Sequence, residues 1–325
     1  MSVSSLSASL TETSGTRDPR QALRWTLIGL VAALALAPLA IYPLFLMKLM
    51  CFAIFAISLN LMLGFGGMMS FGQAAFFGVG SYIAARTAKT YGLTPDLAIL
   101  AGTASATLLG LAFGAVAIRR DGVYFAMITL ALAQMVYFIC LRAPFTGGED
   151  GIQGVPRGAL FGLIDLRDDR VLYAVVLAAF CAVIVGVYRL LNSPFGQTIK
   201  AMRDNEARAA SLGYDTDAIK LTVFVIASGL AGFAGSLKAI VLQLATLTDV
   251  HWTMSGEVLL MVLVGGIGTF LGPIVGAGLV VAMQNYLAPL GSWVMVLQGL
   301  VFIATALTFR SGIIGTLRQR AKVPL

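Results

Sequence analysis

The densest set of chemically capable side chains in this sequence lies between Asn192 and Lys220, in the stretch NSPFGQTIKAMRDNEARAASLGYDTDAIK. Lys200, Arg203, Asp204, Glu206, Arg208, Asp215 and Asp217 stand there between two long apolar segments, a pattern that offers ion pairing rather than bond making. Ser193 followed by Pro194 reads as a helix start, because a serine hydroxyl caps free amides and proline suits the first turn. Phe195, Ile199, Met202, Ala209 and Leu212 follow at helical spacing, and Gly213 is placed to close the helix in a left-handed conformation. Two readings stay open. One is an amphipathic cytoplasmic docking helix that seats its apolar face in a partner's groove, with Arg203, Glu206 and Arg208 at the rim. The other is a solvated surface loop.

Elsewhere the chemistry is sparse. His251, the single histidine, stands beside Trp252 and cannot assemble a metal site or a catalytic triad alone, so it reads as a loop anchor or a contact for another protein. Cys51, Cys140 and Cys181 lie in apolar runs without metal or disulfide spacing and read as small buried hydrophobes. Lys238 and Glu257 fall near the outer boundary of apolar runs, where each either lines a pathway or reaches water, Lys238 by snorkelling. Ser70, Gln73, Gln134 and Gln284 either line a polar route or hydrogen-bond between helices. No GxxxxGK[ST] phosphate loop occurs, and few intramembrane acids are available to couple an ion gradient. With no nucleophile and base set, the pattern argues against a membrane enzyme as well as against an ion-coupled carrier.

The elements that must position these groups are apolar helices. At 58% hydrophobic and 11% charged, the chain is far from the roughly 25% charged residues of soluble domains. It is expected to be an all-α polytopic membrane protein with about 8–10 transmembrane helices. The net charge of +7 arises from basic residues in short loops and tails, which fits membrane orientation better than nucleic-acid binding. Residues 1–20 read as a disordered cytoplasmic tail, 21–315 as the membrane domain with 192–220 as its cytoplasmic loop, and 316–325 as a second cytoplasmic tail. A first span over Trp25 to Leu46 follows Arg17, Arg20 and Arg24, and further apolar segments cover 49–63, 68–85, 97–118, 122–141 and 171–191. Arg119, Arg120, Arg310, Arg318, Arg320 and Lys322 place the termini and the 192–220 loop on the cytoplasmic side, although four arginines in the 142–170 loop run against that rule.

After the polar loop, apolar runs at 219–245, 258–289 and 292–309 require an even number of crossings. The middle run is therefore expected to break within GGIGTFLGP, at Gly266, Gly268, Gly272 and Pro273. Gly66-Gly67-Met68-Met69-Ser70-Phe71 matches Gly265 to Phe270 as GGxx[ST]F, giving two glycine-broken segments and a possible inverted five-plus-five repeat. Gly66, Gly67, Ser70, Gln73, Glu257, Gly265, Gly266, Gly272 and Pro273 are the pathway and hinge candidates. Gly110 and Gly114, Ser228, Gly232 and Ser236, and Gly272 and Gly276 read as close-packing positions.

RDNEARAASLGY followed by KLTVFVIASGLAGFAGSL resembles the cytoplasmic loop and next helix of branched-chain amino-acid ABC transporter permeases. LNLMLGFGGMMSFGQAAFFGVGS (59–81), DGVYFAMITL (121–130), TGGEDG (146–151) and HWTMSGEVLLMVLVGGIGTFLGPIVGAG (251–278) resemble the same family, specifically its LivM-type subunit. Against the broader importer motif EAAxxxG, Glu206 and Ala207 fit, Arg208 replaces the second alanine and Gly213 lies one residue late. The resemblance implies an inner-membrane permease that pairs with a second related permease, two cytoplasmic ATPase subunits and an extracytoplasmic solute-binding protein. It further implies that no cofactor is bound directly, that ATP and Mg are used by the ATPase partners, and that lipid is the surrounding medium. Phe195, Lys200, Arg203, Asp204, Glu206, Ala207, Arg208, Leu212 and Gly213 are then the ATPase-coupling residues. Branched-chain amino acids are the implied cargo, with urea or short amides carried by related permeases as the alternative.

Overall fold

The computed structural model describes residues 29–39, 41–162, 164–291, 293–308 and 312–321. The tail over residues 1–20, Arg17, Arg20, Arg24, Arg310 and Lys322 lie outside the described residues, as do the side chains of Arg318 and Arg320. Helix α1 covers 29–36, and α2 runs Pro43–Asn60 with a π-helical extension over Leu61–Phe65. Then follow α3 (Gln73–Thr90), α4 (Pro95–Ala117), α5 (Gly122–Arg142) and α6 (Asp169–Asn192). The polar stretch forms α7 (Pro194–Asp204) and α8 (Glu206–Ser211), and α9 covers Thr216–Leu242. The chain closes with α10 (Trp252–Gly265), α11 (Gly272–Tyr286), α12 (Trp293–Thr308) and α13 (Gly312–Ala321). Two short antiparallel pairings tie the loops, Ile152 opposite Ala245 and Ala159 opposite Asp165.

Five of the described helices are long and apolar enough to span a bilayer: Pro43–Phe65, α4, α5, α6 and α9. An α-helix rises about 1.5 Å per residue, so their 21 to 27 residues reach across the roughly 30 Å hydrocarbon layer. The protein is an all-α multi-pass membrane protein. The expected span from Trp25 to Leu46 is corrected within its described part, because Pro43 opens α2 and residues 43–46 belong to that second helix. Proline lacks an amide donor and crowds the preceding turn, so it belongs at a helix start and not in the interior of a span.

Helices α2 and α9 form the centre. Met50 to Met62 of α2 are buried without interruption, and α9 is enclosed by α2, α3 and α4. Small residues set the approach of α4 and α9: a methyl group at Gly110 would collide with the Ser228 side chain, and one at Gly232 with Ala106. The Ser236 hydroxyl donates to the Gly80 carbonyl at 3.0 Å, closing the same seam onto α3. Phe55 stacks on Phe77 at 4.4 Å between ring centres, and Phe76, Phe113, Phe125 and Phe224 form a linked aromatic set.

The middle run after the polar loop is two helices, as its crossing parity requires. The α10–α11 hairpin turns at 266–271, where Gly266 has φ +122° and Gly268 φ +70°, values that favour glycine. Gly312, which opens α13, lies against Gly266, so α13 stands at the same end of the bundle as this turn. The other glycine string turns the α2–α3 hairpin at the same end. Phe45 at the start of α2 meets Tyr286 at the end of α11, while Asn60 near the end of α2 reaches Thr269 before α11 begins. Helix α2 is thus antiparallel to α11 and parallel to α10. The two GGxx[ST]F strings mark hairpins of the same direction and are not inverted counterparts, because the helix before each string, α2 or α10, runs the same way along the bundle.

Candidate functional site: a surface element seated on two broken hairpins

The polar stretch starts and stops as its residues dictate. The Ser193 hydroxyl accepts from the Gly196 amide at 3.3 Å with Pro194 in the first turn, and Gly213 closes the segment at φ +89° while the Tyr214 amide reaches back to the Ala209 carbonyl. Between these ends the single expected helix is corrected to two. Asn205 adopts an extended conformation, and its side chain accepts from the Arg208 amide at 2.9 Å, so it caps a new helix instead of continuing the old one. The apolar face is also already occupied. Ile199, Met202 and Ala209 are buried within this chain, whereas Leu212 is 72% exposed.

The element is clamped to the bundle by cations. Lys200 donates to the Leu191 carbonyl at 3.3 Å. The Arg203 guanidinium donates to the Gly64 carbonyl at the end of α2 and would stand 3.1 Å from a methyl group at Gly268, while the aliphatic stem of the same side chain lies against Gly67. One side chain from the surface element therefore touches both hairpin turns. Glu206 pairs with Lys220 of α9 at 2.5 Å, and Lys220 also pairs with Asp121, at the start of α5, at 2.6 Å. Asp204, Ala207 and Arg208 are exposed, and Phe195 is half-buried. A cavity of about 620 Å³ opens between Gly66, Gly67, Met68, Arg120, Met202 and these ion pairs.

The two turns are bonded to each other by Asn60. Its amide nitrogen donates to the Thr269 carbonyl and its oxygen accepts from the Gly268 amide, both at 2.9 Å. A methyl group at Gly64 would stand 2.6 Å from the Gly268 nitrogen, so backbone meets backbone here. The start of α3 is held by Ser70, whose hydroxyl accepts from Gly72, and by Ser255, which accepts from Ala74 at 2.9 Å. Gln73 is fully buried with its oxygen unpaired, so it does not line an open route in this conformation. Gly265 and Gly272 pack backbone to backbone across the α10–α11 turn, with Pro273 buried in the first turn of α11.

Glu257 does not join this site. It lies nearer the start of α10, away from the turn, half-buried, and accepts from Gln284 of α11 at 2.9 Å, so that Gln284 makes an inter-helix bond. Lys238 is corrected as well. It does not snorkel to water but is buried against Asp249 at 2.6 Å, a carboxylate that also accepts from the Thr246 amide. A loop acid that folds back into the bundle gives the lysine a partner closer than the surface. His251 caps α10 by accepting from the Thr253 amide and packs on Tyr137 at 5.0 Å between ring centres, an anchor for the loop. Sequence reasoning missed Asn60, Lys220 and Asp121. Asn60 had a signal, being the lone carboxamide in the apolar run from 43 to 63.

Residues 41–306 match the family described as branched-chain amino acid transport system, permease component. The high-affinity branched-chain amino acid transport system permease protein LivM of Salmonella typhimurium is 29% identical over 299 residues, covering 84% of this chain and 70% of that protein. Its Escherichia coli counterpart is 28% identical over 298 residues with the same coverage. The probable branched-chain amino acid transport permease protein LivM of Methanocaldococcus jannaschii is 28% identical over 262 residues, covering 69% of this chain and 74% of that protein. No solved structure matches the chain.

Proposed function

The chain belongs to the family of branched-chain amino acid transport permease components, and from that membership we propose that it supplies half of the transmembrane pathway of an ATP-driven importer. It works as a transport subunit and not as an enzyme. The remaining half comes from a second, related permease. Two cytoplasmic ATPase subunits, with ATP and Mg, dock on α7–α8, and an extracytoplasmic binding protein delivers the solute to the opposite end. In this reading the termini and α7–α8 face the cytoplasm across a bacterial inner membrane.

The observation that supports this mechanism best is the reach of Arg203 from α7 to the Gly64 carbonyl and against Gly67 and Gly268. A displacement of the surface element is carried by one rigid, forked cation to both hairpin turns at once. Asn60 then obliges the two turns to move together or to exchange hydrogen bonds. Turns rich in glycine bend at little cost, so closure of the ATPase pair drives the hairpins between inward-open and outward-open packing.

The proposed cargo is a branched-chain amino acid. Proteoliposomes holding the complete complex and its binding protein are expected to accumulate labelled leucine, isoleucine or valine, with urea as the contrast. Uptake of urea with none of leucine overturns this cargo.

A further inference from the structure

Lys220 lies beyond the surface element, in the second turn of α9, yet three elements meet at its ammonium group. It stands 2.5 Å from Glu206, which opens α8, and 2.6 Å from Asp121 at the start of α5, with 7% of its side chain exposed. Exposed ion pairs contribute little to stability, but an enclosed cation has lost its water and depends on its partners. Asp121 occupies the cap position of α5 without capping it, since its side chain accepts no amide there and is turned to Lys220 instead. Without the lysine charge, the Asp121 and Glu206 carboxylates that share it would repel each other, moving α8 away from the α4–α5 corner.

Lys220 also sits on the helix best placed to carry movement. Helix α9 is packed by α2, α3 and α4, and its other end is tied by Lys238 to Asp249. Asp121, Glu206 and Lys220 line the same cavity of about 620 Å³ as Gly66 and Gly67. We propose that Lys220 is a positioning residue that joins α8, the α4–α5 corner and α9 into one moving body, so that a push on α7–α8 shifts α9 against the glycine turn of α2–α3. This rests on the importer reading given above.

The test uses the complete importer in proteoliposomes, with solute moved per ATP hydrolysed as the readout. K220M is expected to lower that ratio at least tenfold, and K220R, which can still reach both carboxylates, to hold it within about twofold of the natural chain. The triple variant D121N/E206Q/K220M removes the repulsion together with the joint. Its ratio is expected to stay low, whereas recovery to the natural value overturns the joint and leaves Lys220 as charge compensation alone. Should K220M fail to fold, the triple variant and K220R still decide. An ATP-dependent complex with an unchanged ratio in K220M counts against Lys220 alone, while transport that ignores ATP in the unaltered complex counts against the importer reading.

Discussion

Arg203 and Glu206 stand on either side of the kink at Asn205, and each is engaged inside the chain. Reversing both charges, with Arg203→Glu and Glu206→Arg, removes the contact to Gly64 and sets a second cation against Lys220 where its carboxylate partner stood. Uptake per ATP is expected to fall about tenfold, equivalent to about 1.4 kcal/mol of lost coupling, while membrane insertion is unchanged. Fractionation and vesicle uptake check the two halves of that statement. Asn60→Leu is a second test at this scale. It leaves the buried Thr269 carbonyl unpaired, at a cost of about 1–3 kcal/mol, and frees the partly buried Gly268 amide, which water reaches more easily. A lower apparent melting temperature in detergent is the expected reading, and an unchanged one removes Asn60 as the bond between the turns.

In the proposed importer, the hairpin turns are the elements on which movement depends. A leucine at Gly266 must adopt φ near +122°, a strain on the order of 1–3 kcal/mol, and one at Gly272 has no room beside Thr269. The G266L/G272L variant is expected to lose essentially all uptake, and full transport by it would remove the hinge. Gly232→Leu tests packing instead: it drives a side chain into Ala106 at the α4–α9 seam, with an overpacking cost of about 1–3 kcal/mol read as lower thermal stability. These turns were legible in the sequence, since GGIGTFLGP breaks an apolar run that is too long for one helix and has the wrong parity. The kink at Asn205 was not, because helical spacing persists from Phe195 through Ala209. A capping asparagine competes with that periodicity only once its side chain finds the Arg208 amide. Lys220 and Asp121 were invisible for a different reason: they are 99 positions apart, and nothing local in either marks the pair.

At the scale of the whole molecule, α7–α8 and α13 stand at one end of the bundle, separated in the chain by the four helices α9 to α12. That even count is what the apolar runs demanded, and composition alone gave the membrane class, because 58% hydrophobic residues leave no soluble surface to build. The direction of the two glycine hairpins needed the structure, since matching strings carry no sign of which way their helices run. Arg203 reaches both turns from one end of the bundle, and the proposed mechanism has the push come from that end. The most direct measurement is leucine uptake into proteoliposomes that separates ATP from ion gradients, with and without the ATPase subunits. Uptake is expected only when the ATPase subunits, the binding protein and ATP are all present, and to be unaffected by collapsing proton and sodium gradients. Uptake that persists without the ATPase subunits, or that follows an ion gradient, contradicts an ATP-driven permease.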